Sequence, residues 1–201
     1  MKFMNDKHSH ASEHHHHSAS STNDRVFNQG ADRLRTPERI ERLEIERVVN
    51  SSLEGKKIQS VLDIGTGSGL FAEAFHQRKL KVAGIDSNQS MVDAAKEFLP
   101  DSTIQVAPAE ALPFNDNSFD LTFFGVVFHE VDNYQKAIKE AYRVSLIRTS
   151  ILEWDYKEEN FGPPLAHRLR PEFLKSLAEE AGYKNFQVIK LNSLVLYLLD
   201  K

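Results

Sequence analysis

Residues 60–69 read Ser-Val-Leu-Asp-Ile-Gly-Thr-Gly-Ser-Gly, and they restrict this chain's fold more than any other stretch. Val61, Leu62 and Ile64 form a short buried-strand pattern, and Gly65, Gly67 and Gly69 follow at alternate positions. From Leu70 to Arg78 the apolar residues fall at helical spacing. Strand, glycine turn and helix in immediate succession are the opening unit of a βα repeat.

The unit recurs. Lys81 to Asp86 reads as a second strand, followed by a helical stripe of Met91, Val92, Ala95, Phe98 and Leu99 that Pro100 stops. Strands are expected at 103–107, 119–124 and within 145–154, with a helix at 134–144 between the last two. A late helix over 171–181 ends at Gly182, and 186–189 with 194–199 read as a closing strand pair. Thr36-Pro37-Glu38 opens a further expected helix over 36–50, whose alternating Arg and Glu residues read as a solvated face. Strands alternating with helices predict a doubly wound α/β fold: a mostly parallel seven-stranded sheet, helices on both faces, and a C-terminal antiparallel strand.

In such a sheet ligands bind at the carboxyl ends of the strands, where the connections switch direction. Gly65, Gly67 and Gly69 occupy that place, ahead of a helix N-terminus with unpaired N–H groups. Asp86 closes the second strand 21 residues after Gly65, close to the offset of about 20 at which an acid accepts ribose hydroxyls. A bound nucleoside is the expected ligand. A dinucleotide fingerprint would need glycine where Leu70 stands, and a P-loop would need a Lys-Ser/Thr pair after the glycines.

Asp63, two residues ahead of Gly65, completes an acid-x-Gly-x-Gly-x-Gly pattern. With it the chain resembles the class I S-adenosylmethionine-dependent methyltransferases, from about Arg33 to the C-terminus. Val82 to Met91 is similar to that family's second motif, Ala109 to Phe114 with Asn117 to Asp120 to its third-strand loop and fourth-strand entry, and Phe124 to Val131 to the segment beneath the methionine moiety. The resemblance implies S-adenosylmethionine as cofactor, held by Asp63, Gly65, Thr66, Gly67, Gly69, Asp86, Ser87, Met91, Ala109, Glu110, Gly125 and Val126. Asp86 would bind the ribose and Met91 would pack on adenine. Pro108 stands where the family usually has an aspartate facing the adenine amine, and Tyr142 to Arg148 lacks the usual Pro-Gly-Gly connection. The implied activity is methyl transfer to a small-molecule acceptor by proximity and orientation.

An acceptor that carries a proton also needs a base. His129, after the fourth strand, Tyr156, just past the fifth, and His167, in the Phe161-to-Arg168 connection, are the candidate catalytic residues. Trp154 is a candidate wall of the acceptor pocket.

Composition limits the alternatives. With no cysteine the chain has no disulfide, thiolate zinc site, iron–sulfur cluster or cysteine nucleophile. A net charge of −4 gives no general basic field for nucleic acid or an anionic membrane. No apolar run approaches the roughly 18 residues of a spanning helix, so a cytoplasmic protein is expected. Six of the nine histidines fall within the first 17 residues, and from Asn5 to Arg25 the only apolar side chains are Ala11 and Ala19. Residues 1–26 are therefore expected to form a disordered His-rich tail with weak Ni²⁺ or Zn²⁺ affinity, and 27–201 a single domain. A non-catalytic adenosyl-binding protein, a metal-handling protein and a nucleotide-dependent oxidoreductase stand as the competing readings. Oligomeric state is not readable from the sequence.

Overall fold

Seven strands form one sheet in the order β3-β2-β1-β4-β5-β7-β6 in the computed structural model, which describes Arg25 and residues 30–201. The strands are β1 (Ser60–Ile64), β2 (Lys81–Asp86), β3 (Thr103–Val106), β4 (Phe119–Gly125), β5 (Ser145–Trp154), β6 (Asn185–Lys190) and β7 (Leu194–Asp200). β1 to β5 pair in parallel, whereas β7 runs antiparallel to both β5 and β6. The expected sheet is thus present, and its order reverses direction between β1 and β4.

The helices are α1 (Pro37–Leu43), α2 (Ile45–Leu53), α3 (Leu70–Gln77), α4 (Gln89–Phe98), α5 (Tyr134–Val144) and α6 (Pro171–Ala181). Two apolar layers hold them to the sheet. Val48 and Val49 of α2, Phe71 and Phe75 of α3, and Val92 and Ala95 of α4 pack with Val61, Leu121 and Phe123 on one face. Ala137, Ile138 and Ala141 of α5 join Leu174 and Leu177 of α6 against Leu62, Phe124 and Ile151 on the other. β1 and β4 are buried on both faces, which is why they read as near-continuous apolar runs.

Two departures from the sequence reading have local causes. The helix expected over 36–50 breaks at Glu44, which adopts φ 45° and ψ 44° between α1 and α2, and α2 continues to Leu53. Glu44 Oε1 accepts a hydrogen bond of 2.7 Å from the Asn192 amide, so a contact 148 residues away supports the kink. The shortened connection after α5 leaves no residue between Val144 and Ser145. The register with β4 slips there, Phe119 facing Ser145 and Leu121 facing Arg148, so β5 carries one extra residue. This bulge lies at the end of the sheet opposite the carboxyl ends of the strands.

No helix among the described residues is long and apolar enough to cross a membrane. The predicted His-rich tail and its metal-binding expectation lie outside the described residues, apart from Arg25. Among the described residues no group of three His, Asp or Glu side chains could hold a metal ion.

Candidate active site

A cavity of about 620 Å³ opens at the carboxyl ends of β1, β2, β4 and β5, where the strand order reverses. This volume is within the range of about 300–1,000 Å³ usual for small-molecule sites. Its floor is the glycine turn after β1. Gly65 has φ +69°, and a Cβ built there would lie 2.6 Å from Val127 Cγ2, so both conformation and space demand glycine. The Thr66 amide donates to Ile85 O at 2.8 Å, tying the turn to the end of β2.

Of the twelve predicted cofactor residues, Asp63, Gly65, Thr66, Gly67, Asp86, Ser87, Met91, Ala109, Glu110, Gly125 and Val126 line this cavity. Gly69 does not: it lies behind the turn, where a Cβ would meet Ala95 of α4 at 3.1 Å. Its role is close packing between the turn and α4. Val126 takes φ +61°, a strained conformation for a β-branched residue, and its amide donates to Leu152 O at 2.8 Å. The backbone thus turns sharply where β4 leaves the sheet and enters the cavity wall.

Asp86 receives a hydrogen bond at each oxygen, from the Gly67 amide to Oδ2 and from the Asn88 amide to Oδ1, both at 2.9 Å. Each carboxylate oxygen accepts at two lone pairs, so both retain capacity toward the cavity. Burial lifts the Asp86 carboxyl above its ordinary value, against the effect of these amides. Ser68 also lines the cavity, and its buried Oγ has no hydrogen-bond partner among the described residues. Spare acceptors on Asp86 and an orphaned hydroxyl on Ser68 suit a ligand that brings several polar groups.

Asp63 is buried deeper. Thr66 Oγ1 donates to its Oδ2 at 2.8 Å and the Ala72 amide donates at 3.2 Å, yet burial dominates and pushes its carboxyl up to about 7. Between the ordinary aspartate value and about 7 the folded chain therefore holds a proton that the unfolded chain has released. Asp63 then makes the unfolding free energy fall as pH rises through that window. Asp63→Asn should flatten that part of the ligand-free stability profile, measured by urea unfolding at a series of pH values; parallel profiles for the two proteins would contradict it.

The three predicted catalytic residues separate. His129 lines the cavity from a short 3₁₀ turn, Phe128–Glu130, and is buried. Its Nδ1 lies 2.9 Å from Glu153 Oε2. Burial opposes charging of the ring, but Glu153, aided by Glu130, outweighs it and holds the imidazole above its ordinary value. Tyr156 and His167 do not line the cavity. The carbonyls of Asp155 and Lys157 turn inward to Arg168, and Tyr156 between them stacks beneath the Arg170 guanidinium, 4.8 Å from its ring centre. His167 ends the 3₁₀ turn Leu165–His167, outside the wall formed by Gly162 and Pro163. Trp154 lines the cavity as expected, with Gly162 so close that a Cβ there would lie 2.9 Å from the indole.

Several cavity residues carry no local sequence signal. Leu34, Arg39 and Leu43 reach in from the segment ahead of β1. Arg35 latches that segment down, donating to Ser68 O at 2.9 Å and Glu73 Oε2 at 2.8 Å. Arg25 also lines the cavity, donating to Val131 O at 3.0 Å and to the Tyr134 hydroxyl. Glu153 could have been noticed as a carboxylate within the otherwise apolar Ile151-Leu152-Glu153-Trp154.

Residues 62–146 match a methyltransferase domain family. The chain is 31% identical over 105 residues to a demethylmenaquinone methyltransferase of Renibacterium salmoninarum, covering 52% of this chain and 44% of that protein. It is 30% identical over 128 residues to the uncharacterized methyltransferase YcgJ of Bacillus subtilis, covering 61% and 51%. The chain thus spans about half the length, or less, of these curated relatives. A solved S-adenosylmethionine-dependent methyltransferase from Aquifex aeolicus superposes with a TM-score of 0.74 and 25% identity, over 85% of this chain and 96% of that one. The glycine turn, the acid closing β2 and the strand order agree with these matches, and residues 62–146 form a methyltransferase domain on a fold shared with S-adenosylmethionine-dependent methyltransferases.

Proposed function

We propose that this chain binds S-adenosylmethionine in the cavity over β1, β2 and β4 and transfers its methyl group to a small-molecule acceptor. One observation carries the reading: Asp86 ends β2 beside the glycine turn, with both carboxylate oxygens able to accept further hydrogen bonds into the cavity. Asp86 would hold the ribose hydroxyls, Met91 would pack on the adenine, and the turn's amides with Ser68 Oγ would meet polar groups of the amino acid moiety. When bound, the cofactor supplies an electrophilic methyl group on a sulfonium, whose positive charge disperses during transfer.

The chain's own contribution is then chiefly to orient the acceptor and exclude water, which together contribute up to about 7–11 kcal/mol in well-aligned systems. Trp154, Gly162 and Pro163 form the wall that would do this. His129 is the cavity group suited to take a proton. The names of relatives such as demethylmenaquinone methyltransferase support a small organic acceptor. Titration calorimetry of the full chain should show saturable one-to-one binding of S-adenosylhomocysteine and none of NAD; absence of adenosyl binding would overturn the proposal.

A further inference from the structure

Glu153 ends a strand whose neighbours Ile151, Leu152 and Trp154 are buried, and its side chain is itself only 1% exposed. An ionised carboxylate there requires compensation. It accepts from the His129 amide at 3.0 Å and the Trp154 amide at 3.2 Å, and its Oε1 and Oε2 lie 3.1 and 2.9 Å from His129 Nδ1. The sheet register creates this meeting. Gly125 of β4 faces Leu152 of β5, so the residue after Leu152 stands where β4 gives way to the turn that carries His129.

The ring has two distinct sides. Glu153 does not line the cavity, whereas His129 and Glu130 do. Nδ1 therefore points inward to Glu153, and Nε2 points to the cavity side, 3.7 Å from Glu130 Oε1 and beyond hydrogen-bond reach. The Tyr134 hydroxyl donates to His129 O at 3.1 Å and fixes the backbone beneath the ring. Because an ionised carboxylate can only accept, the nitrogen facing it carries the proton. A neutral His129 is then the Nδ1–H tautomer, with the Nε2 lone pair directed at the cavity.

We infer that Glu153 is a positioning residue that fixes this tautomer, and that the acceptor is a protic small molecule, a hydroxyl, phenol or protonated amine, whose proton passes to His129 Nε2. The inference rests on the methyl-transfer reading. A hydroxyl or phenol gives its proton to Nε2 as its lone pair takes the methyl group, and a protonated amine gives it first, which frees the lone pair that attacks; in both the former carbon–sulfur bonding pair stays on sulfur, so charge and atoms balance. The charged groups around the ring are Glu153 from β5, Glu130 from its own turn and Arg25 from the N-terminal segment. The two glutamates favour the imidazolium that proton uptake produces, and Arg25 opposes it.

Histidine-selective long-range ¹H–¹⁵N spectra of the full chain saturated with S-adenosylhomocysteine test this, with His129→Gln identifying the resonances. Above its titration the wild-type ring should show Nδ1–H and an unprotonated Nε2. Glu153→Gln should move the titration at least about 1 pH unit lower, and Glu153→Met should in addition mix the tautomers. Affinity for S-adenosylhomocysteine should stay within about twofold, since Glu153 is outside the cavity. An Nε2–H tautomer in the wild type, or a titration unmoved in Glu153→Gln, overturns the assignment. If the variants fail to fold, the wild-type tautomer decides alone. Recovery, from a metabolite extract incubated with labelled S-adenosylmethionine, of an acceptor with no proton to lose overturns the acceptor class. A wild-type chain that shows Nδ1–H but binds no S-adenosylhomocysteine would sink the methyl-transfer reading and leave the tautomer assignment standing.

Discussion

Replacing Asp86 with alanine is expected to weaken S-adenosylhomocysteine binding about 10- to 100-fold, the loss of hydrogen bonds to a charged acceptor worth about 1.5–3 kcal/mol. Calorimetry on wild type and variant would read it directly. The competing interpretation is that Asp86 is only a brace, since it joins the Gly67 amide of the turn to the Asn88 amide at the start of α4. Stability separates the two. The partly buried carboxylate is held above its ordinary value, so its removal relieves a desolvation cost that offsets the two lost amide bonds. A binding residue should lose affinity with little change in unfolding free energy, whereas a brace should lose both in proportion. Asp86→Asn should not restore affinity, because its amide nitrogen must face one of two backbone N–H donors. Unchanged affinity in the alanine variant would refute the ribose role.

The order of elements was legible because both periodicities are clear in this chain. Val61 to Ile64, Val82 to Ile85 and Leu121 to Phe124 are runs of strand length that are apolar apart from Asp63 and Thr122, and α5 and α6 show apolar stripes at helical spacing between recognisable caps. Asn133 accepts from the Lys136 amide at 2.9 Å and Gly182 closes α6 at φ 107°, both consistent with their sequence signals. Chemistry at strand ends was legible to the same degree, because the doubly wound topology sends the ends of β1, β2 and β4 to one place whatever the loops do.

What was not legible depended on contacts distant in sequence. The pattern of 36–50 continues through Glu44 without a helix breaker, and the kink there answers to Asn192. Tyr156 and His167 belong to a connection without strand or α-helix, so no period determines which way each side chain points. Tyr156 is placed by the flanking carbonyls of Asp155 and Lys157, which turn to Arg168, a residue that the local sequence presents only as another basic one. Glu153 and His129 likewise meet through the pairing of β4 with β5 and not through any spacing that could be read along the chain.

Arg168→Ala should release the whole connection from Asp155 to Pro163. The Arg168 side chain is 1% exposed, and its guanidinium gathers four main-chain carbonyls, those of Asp155 at 3.0 Å, Lys157 at 2.8 Å, Phe161 at 2.7 Å and Pro163 at 3.0 Å. It also meets Glu159 Oε2 at 3.0 Å and lies 5.4 Å from the Trp154 ring centre. No regular ladder orders these residues, so this one side chain offsets much of the entropy cost of fixing them. Alanine leaves the four carbonyls without this donor and Glu159 with only the Lys157 ammonium, 3.2 Å from its Oε1, a loss approaching the about 3–5 kcal/mol of a broken buried ion pair. The connection can open and wet those groups, however, which caps the global loss at the free energy of local unfolding. The expected signature is therefore regional: rapid amide exchange and protease cleavage within 155–168, with the sheet still protected. Trp154 is the only tryptophan and lies against Gly162, so its fluorescence should shift to the red as the wall of Gly162 and Pro163 departs. Arg168→Lys should behave almost as badly, because a single ammonium cannot reach carbonyls spread around a planar fork. S-adenosylhomocysteine affinity should fall far less than in Asp86→Ala, since the glycine turn and the end of β2 are held by the sheet. Unaltered Trp154 emission together with wild-type exchange over 155–168 would show that the connection is ordered by something other than Arg168.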